Sequence, residues 1–422
     1  MNQLKTSKSS LLKLISGTGI SQIILFAVTP ILTRLYSPSD FGQYEMFISL
    51  VNILLVFSTF QYDKALIIPT KRIEYFSLMK GVVLILLGFS IFIVFGFWIF
   101  SRFIDDFPTL MVLKSVFWFM PIVIILRSIN LVAVTALNRE GRFSEISAEK
   151  VIRSSSVSGF NIWFRIGDIF KSGLILSELF VGMVSNIYLL FQLRGSVISI
   201  LFRNWAKLPV KKVLIKYRHF TIYGLPKSIF FSLTANVPIL IITYYYGIVE
   251  AGIYGLAVRL LSKPVTLLAN TSASLFKRDV MLEMQSNGSS INSVYRTLKI
   301  QALITVIPFI IGYSLIDLVF DFVFPSEWQK AIVIVKALSI MYFFNTLISP
   351  ITYVFMIYKK QNIDLILNIL LFLFSSVSMV LVNVWFKNFD LSILVYSICY
   401  SIFYIVFLVY SLLLSKRNEV YY

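Results

Sequence analysis

Ionisable side chains are scarce in this chain, and chemically versatile ones scarcer still. Of 422 residues only 14% are charged, against roughly 25% in soluble domains, which is too few to coat a water-facing surface. The single cysteine, Cys399, lies inside an apolar run, which excludes an intramolecular disulfide or a cysteine metal cluster. The single histidine, His219, stands in a basic loop without a neighbouring ligand, so neither a metal site nor a His-dependent triad is expected. There is no nucleotide-binding glycine loop, zinc pattern or nucleophile–base pair, and the chain reads as non-enzymatic and without a cofactor.

Apolar residues, by contrast, make up 58% of the chain, with a mean hydropathy of +0.84. Apolar stretches of about 20 residues, the length that crosses a bilayer core of roughly 30 Å, recur throughout. The runs are continuous rather than alternating with period two, which favours helices over a membrane barrel. The fold class expected is an all-α polytopic membrane protein of about twelve spans. They fall near 12–33, 42–61, 80–101, 113–137, 152–168, 173–194, 220–246, 252–275, 297–322, 329–357, 364–386 and 391–415. The fifth is the weakest, with Arg153, three serines and Arg165 flanking a short apolar middle.

Lysine and arginine sort by loop. Of 38, the loops on the side of the two termini hold 26, the opposite loops hold seven, and five lie within spans. The positive-inside rule therefore places both termini in the cytoplasm. It also gives the net charge of +18 a topological meaning, where a nucleic-acid site would need basic residues gathered on one folded face. The first apolar run, from Leu14 to Leu32, lacks a small-x-small cleavage site and reads as an uncleaved first span. No external loop between spans exceeds about 15 residues, so no extracytoplasmic domain is expected. The longest cytoplasmic connection, "GSVISILFRNWAKLPVKKVLIKYRH" at 195–219, mixes apolar residues with lysines. It fits either an amphipathic helix on an anionic leaflet or an ordinary basic loop.

A phrase repeats across that connection. Tyr36, Asp40-Phe41-Gly42 and Tyr44 are matched by Tyr246, Glu250-Ala251-Gly252 and Tyr254, each offset by 210 residues. The acid is expected at the start of the second helix of each pair, where it complements exposed amides. An offset of half the chain argues for duplication: residues 1–195 as one six-helix bundle, 196–218 as the connection, and 219–422 as the second bundle. Six spans per half give both halves the same orientation, and such designs place a substrate path between halves.

Ionisable groups at membrane depth are costly and become functional candidates. Five basic ones lie within spans: Arg127, Lys227, Arg259, Lys263 and Lys336. The acids near span interiors are Glu45, Glu178, Asp317 and Asp321. Arg259 and Lys263 are four apart and share a helix face. Arg127 has a pairing alternative in Glu178. For Lys227, Arg259 and Lys263 an aqueous cationic cavity is expected, for which a diphosphate is a natural ligand. Asn236, Asn270 and Asn345 offer polar neighbours for water or sugar hydroxyls. Lys336 and Arg34, near the outer boundary, fit headgroup or cargo contacts.

The segments "LLKLISGTGISQIILFAVTPILTRLYSPSDFGQYEMFISLVNILLVFSTFQYDKALIIP", "ALNREGRFSEISAEKVIRS" and "YGLPKSIFFSLTANVPILIITYYYGIVEAGIYGLAVRLLSKPVTLLANTSASLF" resemble bacterial polysaccharide repeat-unit flippases. These are the O-antigen or Wzx-type proteins of the superfamily that includes multidrug and toxin extruders. The resemblance covers nearly the whole chain and weakens over spans nine to twelve. It implies a V of two six-helix bundles in the bacterial inner membrane. The cargo would be an undecaprenyl-diphosphate-linked oligosaccharide moved to the outer leaflet, handed on to a polysaccharide polymerase and chain-length machinery. Arg127, Lys227, Arg259 and Lys263 would hold diphosphate or acidic sugar. Proton or sodium coupling stays open, since no residue decides it. The rivals are a cation-coupled drug exporter, which would want a buried carboxylate cluster; a membrane-embedded polymerase or ligase, which would want a large external loop; and a peptidoglycan-precursor flippase, for which fourteen spans are expected.

Overall fold

A computed structural model describes residues 8–167, 172–194, 208–287 and 289–416. Every element in it is helical. Twelve long helices follow the apolar runs: α1 (Lys8–Leu35), α2 (Pro38–Leu55), α3 (Arg72–Phe100), α4 (Phe119–Arg139), α5 (Phe143–Ile166), α6 (Gly173–Leu193), α7 (Leu225–Tyr246), α8 (Ile248–Asn287), α9 (Ile291–Val323), α10 (Ala331–Ile348), α11 (Gln361–Trp385) and α12 (Phe389–Ser415). Among the described residues nine helical segments are long and apolar enough to cross a bilayer. Those outside the nine are α2, α5 and α8, which carry more charged and polar residues. The chain is a polytopic all-α membrane protein.

Several helices depart from the expected spans: α3 and α5 begin earlier, at Arg72 and Phe143, α4 begins later, at Phe119, and three others differ in ways that have a local cause. The second span ends at Leu55 rather than at 61, because the chain turns through Phe60 and Gln61, both with positive φ (48° and 64°). Thr59 Oγ1 donates to Asp63 Oδ1 at 2.5 Å within that turn. The eighth runs on to Asn287, straight through Pro264. The tenth is not one helix: α10 stops at Ile348, a tighter turn covers Ser349–Thr352, and a short helix follows over Tyr353–Ile357. Pro350 sits in that turn and cannot supply a helical N–H.

The chain divides into two compact units, Met1–Ser232 and Leu233–Tyr422. In the first, α1 packs along α5, α5 and α4 flank α6, and α2 rests on α4. Of the long connection, residues 196–207 lie outside the described residues. The helix Val210–Lys216 lies against α3, Val213 joining a buried cluster with Leu78, Val82 and Leu137. A Cβ on Gly81 would approach Leu214 Cδ2 to 2.9 Å, so this contact depends on the missing side chain. Lys216 pairs with Glu74. In the second unit α12 packs against α10 and α11, and α8 and α9 pack on α10.

Local chemistry explains the repeated phrase. Ser37 caps α2: its Oγ accepts from the Asp40 amide at 3.3 Å while Asp40 Oδ2 accepts from the Ser37 amide at 3.0 Å, with Pro38 opening the helix. A cap of this kind is worth about 0.5–2 kcal/mol. Glu250 occupies the first turn of α8. The two tyrosines of the phrase do parallel work, Tyr36 Oη donating to the Asn161 carbonyl on α5 at 2.7 Å and Tyr246 Oη donating to Asn383 Oδ1 on α11 at 2.6 Å. Arg165 Nε donates to the carbonyl of Leu35 at 2.7 Å, closing the end of α1. A Cβ on Gly173 would fall 2.5 Å from Tyr36 Oη and 3.1 Å from Phe164 Cβ. Gly173→Ala is therefore expected to break the Tyr36 bond and destabilise the first unit by about 1–3 kcal/mol, read as a lower thermal midpoint in detergent.

The "ALNREGRF" phrase is a pair of clamps. Arg139 donates to the carbonyls of Leu66 (2.9 Å), Ile67 (3.2 Å) and Pro69, and its guanidinium lies 4.2 Å from the Tyr75 ring centroid. Arg142 donates to the carbonyl of Gln192 at 2.8 Å and to its Oε1 at 2.7 Å. Gly141, with φ of 72°, supplies the left-handed residue that this tight turn needs.

Candidate functional site

Besides Asp63 in the turn after α2, the first unit buries two carboxylates, Glu178 and Glu149, that are held differently. Glu178 on α6 receives Arg127 Nη2 from α4 at 2.9 Å and Arg153 Nη2 from α5 at 3.6 Å. Tyr44 Oη from α2 donates to its other oxygen at 2.9 Å. Arg127 Nη1 also donates to Asn52 Oδ1 at 2.9 Å, and Glu45 faces the same guanidinium. Four helices thus converge on one ion network. Glu149 on α5 is 3% exposed, and its Oε1 accepts from Asn130 Nδ2 at 3.0 Å and from Ser185 Oγ at 2.6 Å, both neutral donors. The adjacent Lys150 turns to Thr18 Oγ1 at 2.8 Å.

A second basic group lies where α2 gives way to the strained turn. Lys64 Nζ donates to Ser228 Oγ at 3.2 Å, and Ser228 Oγ donates to Gln61 Oε1 at 3.0 Å. Thr221 Oγ1 donates to the Phe60 carbonyl at 2.7 Å. Positive φ at two consecutive non-glycine residues stores strain, a feature concentrated at functional sites. Opposite it, Phe220–Gly224 forms a π-helical turn ahead of α7, another such marker. Lys64 reaches solvent, yet the protein around its amine strips part of its hydration. That loss lowers its pKa below the usual lysine value, against the pull of Asp63 and with a further lowering from Lys227.

One face of α7 joins the two places. Ser228 serves the Lys64 turn, and Ser232, four residues on, donates to the Asn52 carbonyl at 3.2 Å. Asn52 in turn holds Arg127. A polar strip thus runs within the first unit from Lys64 and Lys227 past Ser228 and Ser232 to Arg127, Arg153 and Glu178.

The remaining candidates stand elsewhere. Arg34, exposed, is in the last turn of α1. In the second unit Arg259 and Lys263 sit half-buried one turn apart on α8. Lys336 donates to both oxygens of Asp317 at 2.8 Å. Three buried tyrosines line α12 among its serines: Tyr396 Oη donates to the Thr234 carbonyl at 3.0 Å, and Asn345 Nδ2 reaches Tyr400 Oη at 3.4 Å. Arg127 thus connects through Asn52 to Ser232 on α7, the helix that carries Lys227, while Arg259 and Lys263 lie one turn apart on α8 and Lys336 is tied to an acid. Sequence reasoning missed Lys64 and Arg153, which read as loop charges setting topology. The signal available for Lys64 was its place just beyond a serine- and threonine-rich span end.

Residues 31–333 match the family described as polysaccharide biosynthesis protein. No functionally curated protein matches the chain by sequence. Among solved structures, an inward-facing multidrug resistance MATE family transporter of the MOP superfamily superposes with a TM-score of 0.76, at 13% identity, over 92% of this chain and 93% of that one. The lipid II flippase MurJ, in an inward closed conformation, gives 0.69 at 13% identity over 94% and 87%. A MOP superfamily transporter from Pyrococcus furiosus, noted for the reverse polarity of its binding pocket, gives 0.65 at 13% identity over 97% and 96%. At these identities the likeness is one of fold.

Proposed function

The chain belongs to the polysaccharide biosynthesis family, and we propose from that premise that it flips an oligosaccharide carried on undecaprenyl diphosphate from the cytoplasmic to the outer leaflet. The observation that carries this reading is the cluster of basic side chains in the first unit, where Arg127 and Arg153 share Glu178 and Lys64 meets Ser228 on α7, next in the chain to Lys227. A diphosphate carries concentrated negative charge that lysine and arginine bind through charge-assisted hydrogen bonds. Arg259 and Lys263 on α8 supply a basic pair of the second unit for acidic groups of the cargo, Arg34 is an outer-side contact, and Lys336, whose amine meets Asp317, is an outer-side contact to lipid headgroups. The loop charges orient both termini to the cytoplasm of a bacterial inner membrane. The two units act as the two halves of an alternating-access transporter, without catalysing a reaction and upstream of a polymerase.

Reconstitution tests this directly. Proteoliposomes loaded with a fluorescent lipid-linked oligosaccharide should make the inner-leaflet pool accessible to an external glycosidase at a rate set by the protein. Protection equal to that of empty liposomes would refute the reading. One observation favours a second: Glu149, buried among neutral donors, is the kind of carboxylate a cation-coupled exporter of cationic drugs would use. In the same vesicles, efflux of a cationic dye on a cation gradient, without glycan movement, would select that alternative.

A further inference from the structure

Residues 70–81, which open α3, and 208–224, which lead into α7, together hold seven lysines and arginines but one carboxylate, Glu74. Lys216 takes that carboxylate. The helix Val210–Lys216 has two faces of opposite character. Val210, Val213, Leu214 and Tyr217, at spacings of three and four, turn toward α3. Val213 and Tyr217 are buried in its cluster, and Val210 and Leu214 close on Gly81. Tyr62 Oη donates to the Leu214 carbonyl at 3.2 Å and holds that face in place. Lys211, Lys212, Ile215 and Arg218 follow the same spacing on the other side, and all four are exposed. Ile215 is thus 53% exposed among three cations. The contact of Lys216 with Glu74 sets the first turn of α3 beside it, where Arg72 and Ile73 are exposed as well. An open groove of about 520 Å³ follows this face, lined by Pro209, Val210 and Ile215 with the two lysines.

The length of α3 gives the depth of this face. Its 29 residues span about 43 Å at 1.5 Å per residue, against a hydrocarbon core of roughly 30 Å. About 20 residues counted back from Phe100 fill that core, which puts Gly81 at its edge and residues 72–80 in the headgroup layer. The helix Val210–Lys216 runs antiparallel to α3, from Val210 at the level of Gly81 to Lys216 at the level of Glu74. Lys211 and Lys212 therefore stand where lipid phosphates lie. A face that alternates cations with isoleucine suits this layer, where ionic and apolar contacts follow one another over a few ångströms.

We propose that this face binds anionic phospholipid of the adjoining leaflet. Lys211, Lys212, Arg218 and Arg72 hold its phosphodiester oxygens, and Ile215 and Ile73 meet its carbon chains. Charge complementarity selects the occupant, since basic residues at the membrane surface each add to the attraction for anionic headgroups. The cations are spread over about 10 Å of chain from Lys211 to Arg218 instead of converging on one point, which suits several singly charged headgroups over one diphosphate. The face uses none of the residues assigned to the cargo and does not depend on what that cargo is.

The test follows the anisotropy of a fluorescent phosphatidylglycerol added to purified full-length protein in micelles of detergent and phosphatidylcholine. Saturable binding is expected, displaced by unlabelled phosphatidylglycerol and weakened by added salt. Lys211→Gln with Lys212→Gln should weaken it about 30-fold, whereas Lys211→Arg with Lys212→Arg should retain it and controls for folding. Ile215→Ser should weaken it by a smaller factor. Equal displacement by phosphatidylcholine would make the groove a non-selective lipid contact and overturn the proposal. Unchanged affinity in the double glutamine variant overturns it too. So does displacement by undecaprenyl diphosphate at a lower concentration than by phosphatidylglycerol, which would turn the groove into a cargo site.

Discussion

Arg127→Leu is expected to destabilise the first unit by about 3–5 kcal/mol, the effect of stripping a buried carboxylate of its partner. Glu178 would keep only the longer Arg153 contact at 3.6 Å and the Tyr44 hydroxyl at 2.9 Å. Asn52 would lose the donor that now reaches it at 2.9 Å. The measurement is a thermal or denaturant midpoint in detergent, with protein level in the membrane as a second readout. Arg127→Leu combined with Glu178→Leu should recover much of the loss, because removing both charges removes the desolvation problem that either alone leaves behind. A single variant as stable as the parent chain would show that the network contributes nothing, and would detach Arg127 from any structural role.

The second large effect concerns transport rather than folding. Reversing charge at Arg259 and Lys263 together should lower surface glycan about 100-fold or more at equal protein level, since each hydrogen bond to a charged group contributes about 1.5–3 kcal/mol. Alanine at both should give a smaller loss of the same sign. Lys336→Ala, whose amine is already spent on Asp317, should change export little. Normal export after double reversal would remove α8 from the cargo path.

Much of this fold is legible from hydropathy alone, because a membrane helix must satisfy its own backbone and so announces itself as a long apolar run. The capping role of Asp40 and the Arg127–Glu178 pair were also readable: each needs only a local rule or a scarcity of partners. The break at Pro350 was not. Pro30, Pro238, Pro264 and Pro308 all lie inside continuous helices, so the residue type does not say which one interrupts its span. Packing decides that, and packing is not local. Lys64 shows the same limit from the other side. Its hydrogen-bond partner Ser228 is 164 positions away, and no periodicity connects a loop lysine to a distant helix. The charge census that gave the topology assigned Lys64 and Arg153 to orientation, and a residue can serve both purposes.

The length of α8 has a mechanical meaning. Forty residues make a rod of about 60 Å at 1.5 Å per residue, nearly twice the roughly 30 Å of hydrocarbon it crosses. Its partner α9, at 33 residues, overshoots as well. Glu283 fastens the two near the tip, accepting from the amides of Asn292 at 3.1 Å and Ser293 at 2.6 Å. The result is a paired helical arm that reaches about 36 Å beyond Lys263 along the same helix, at 1.5 Å per residue, so a small change in the tilt of α8 at Lys263 becomes a larger displacement at the far end of the arm.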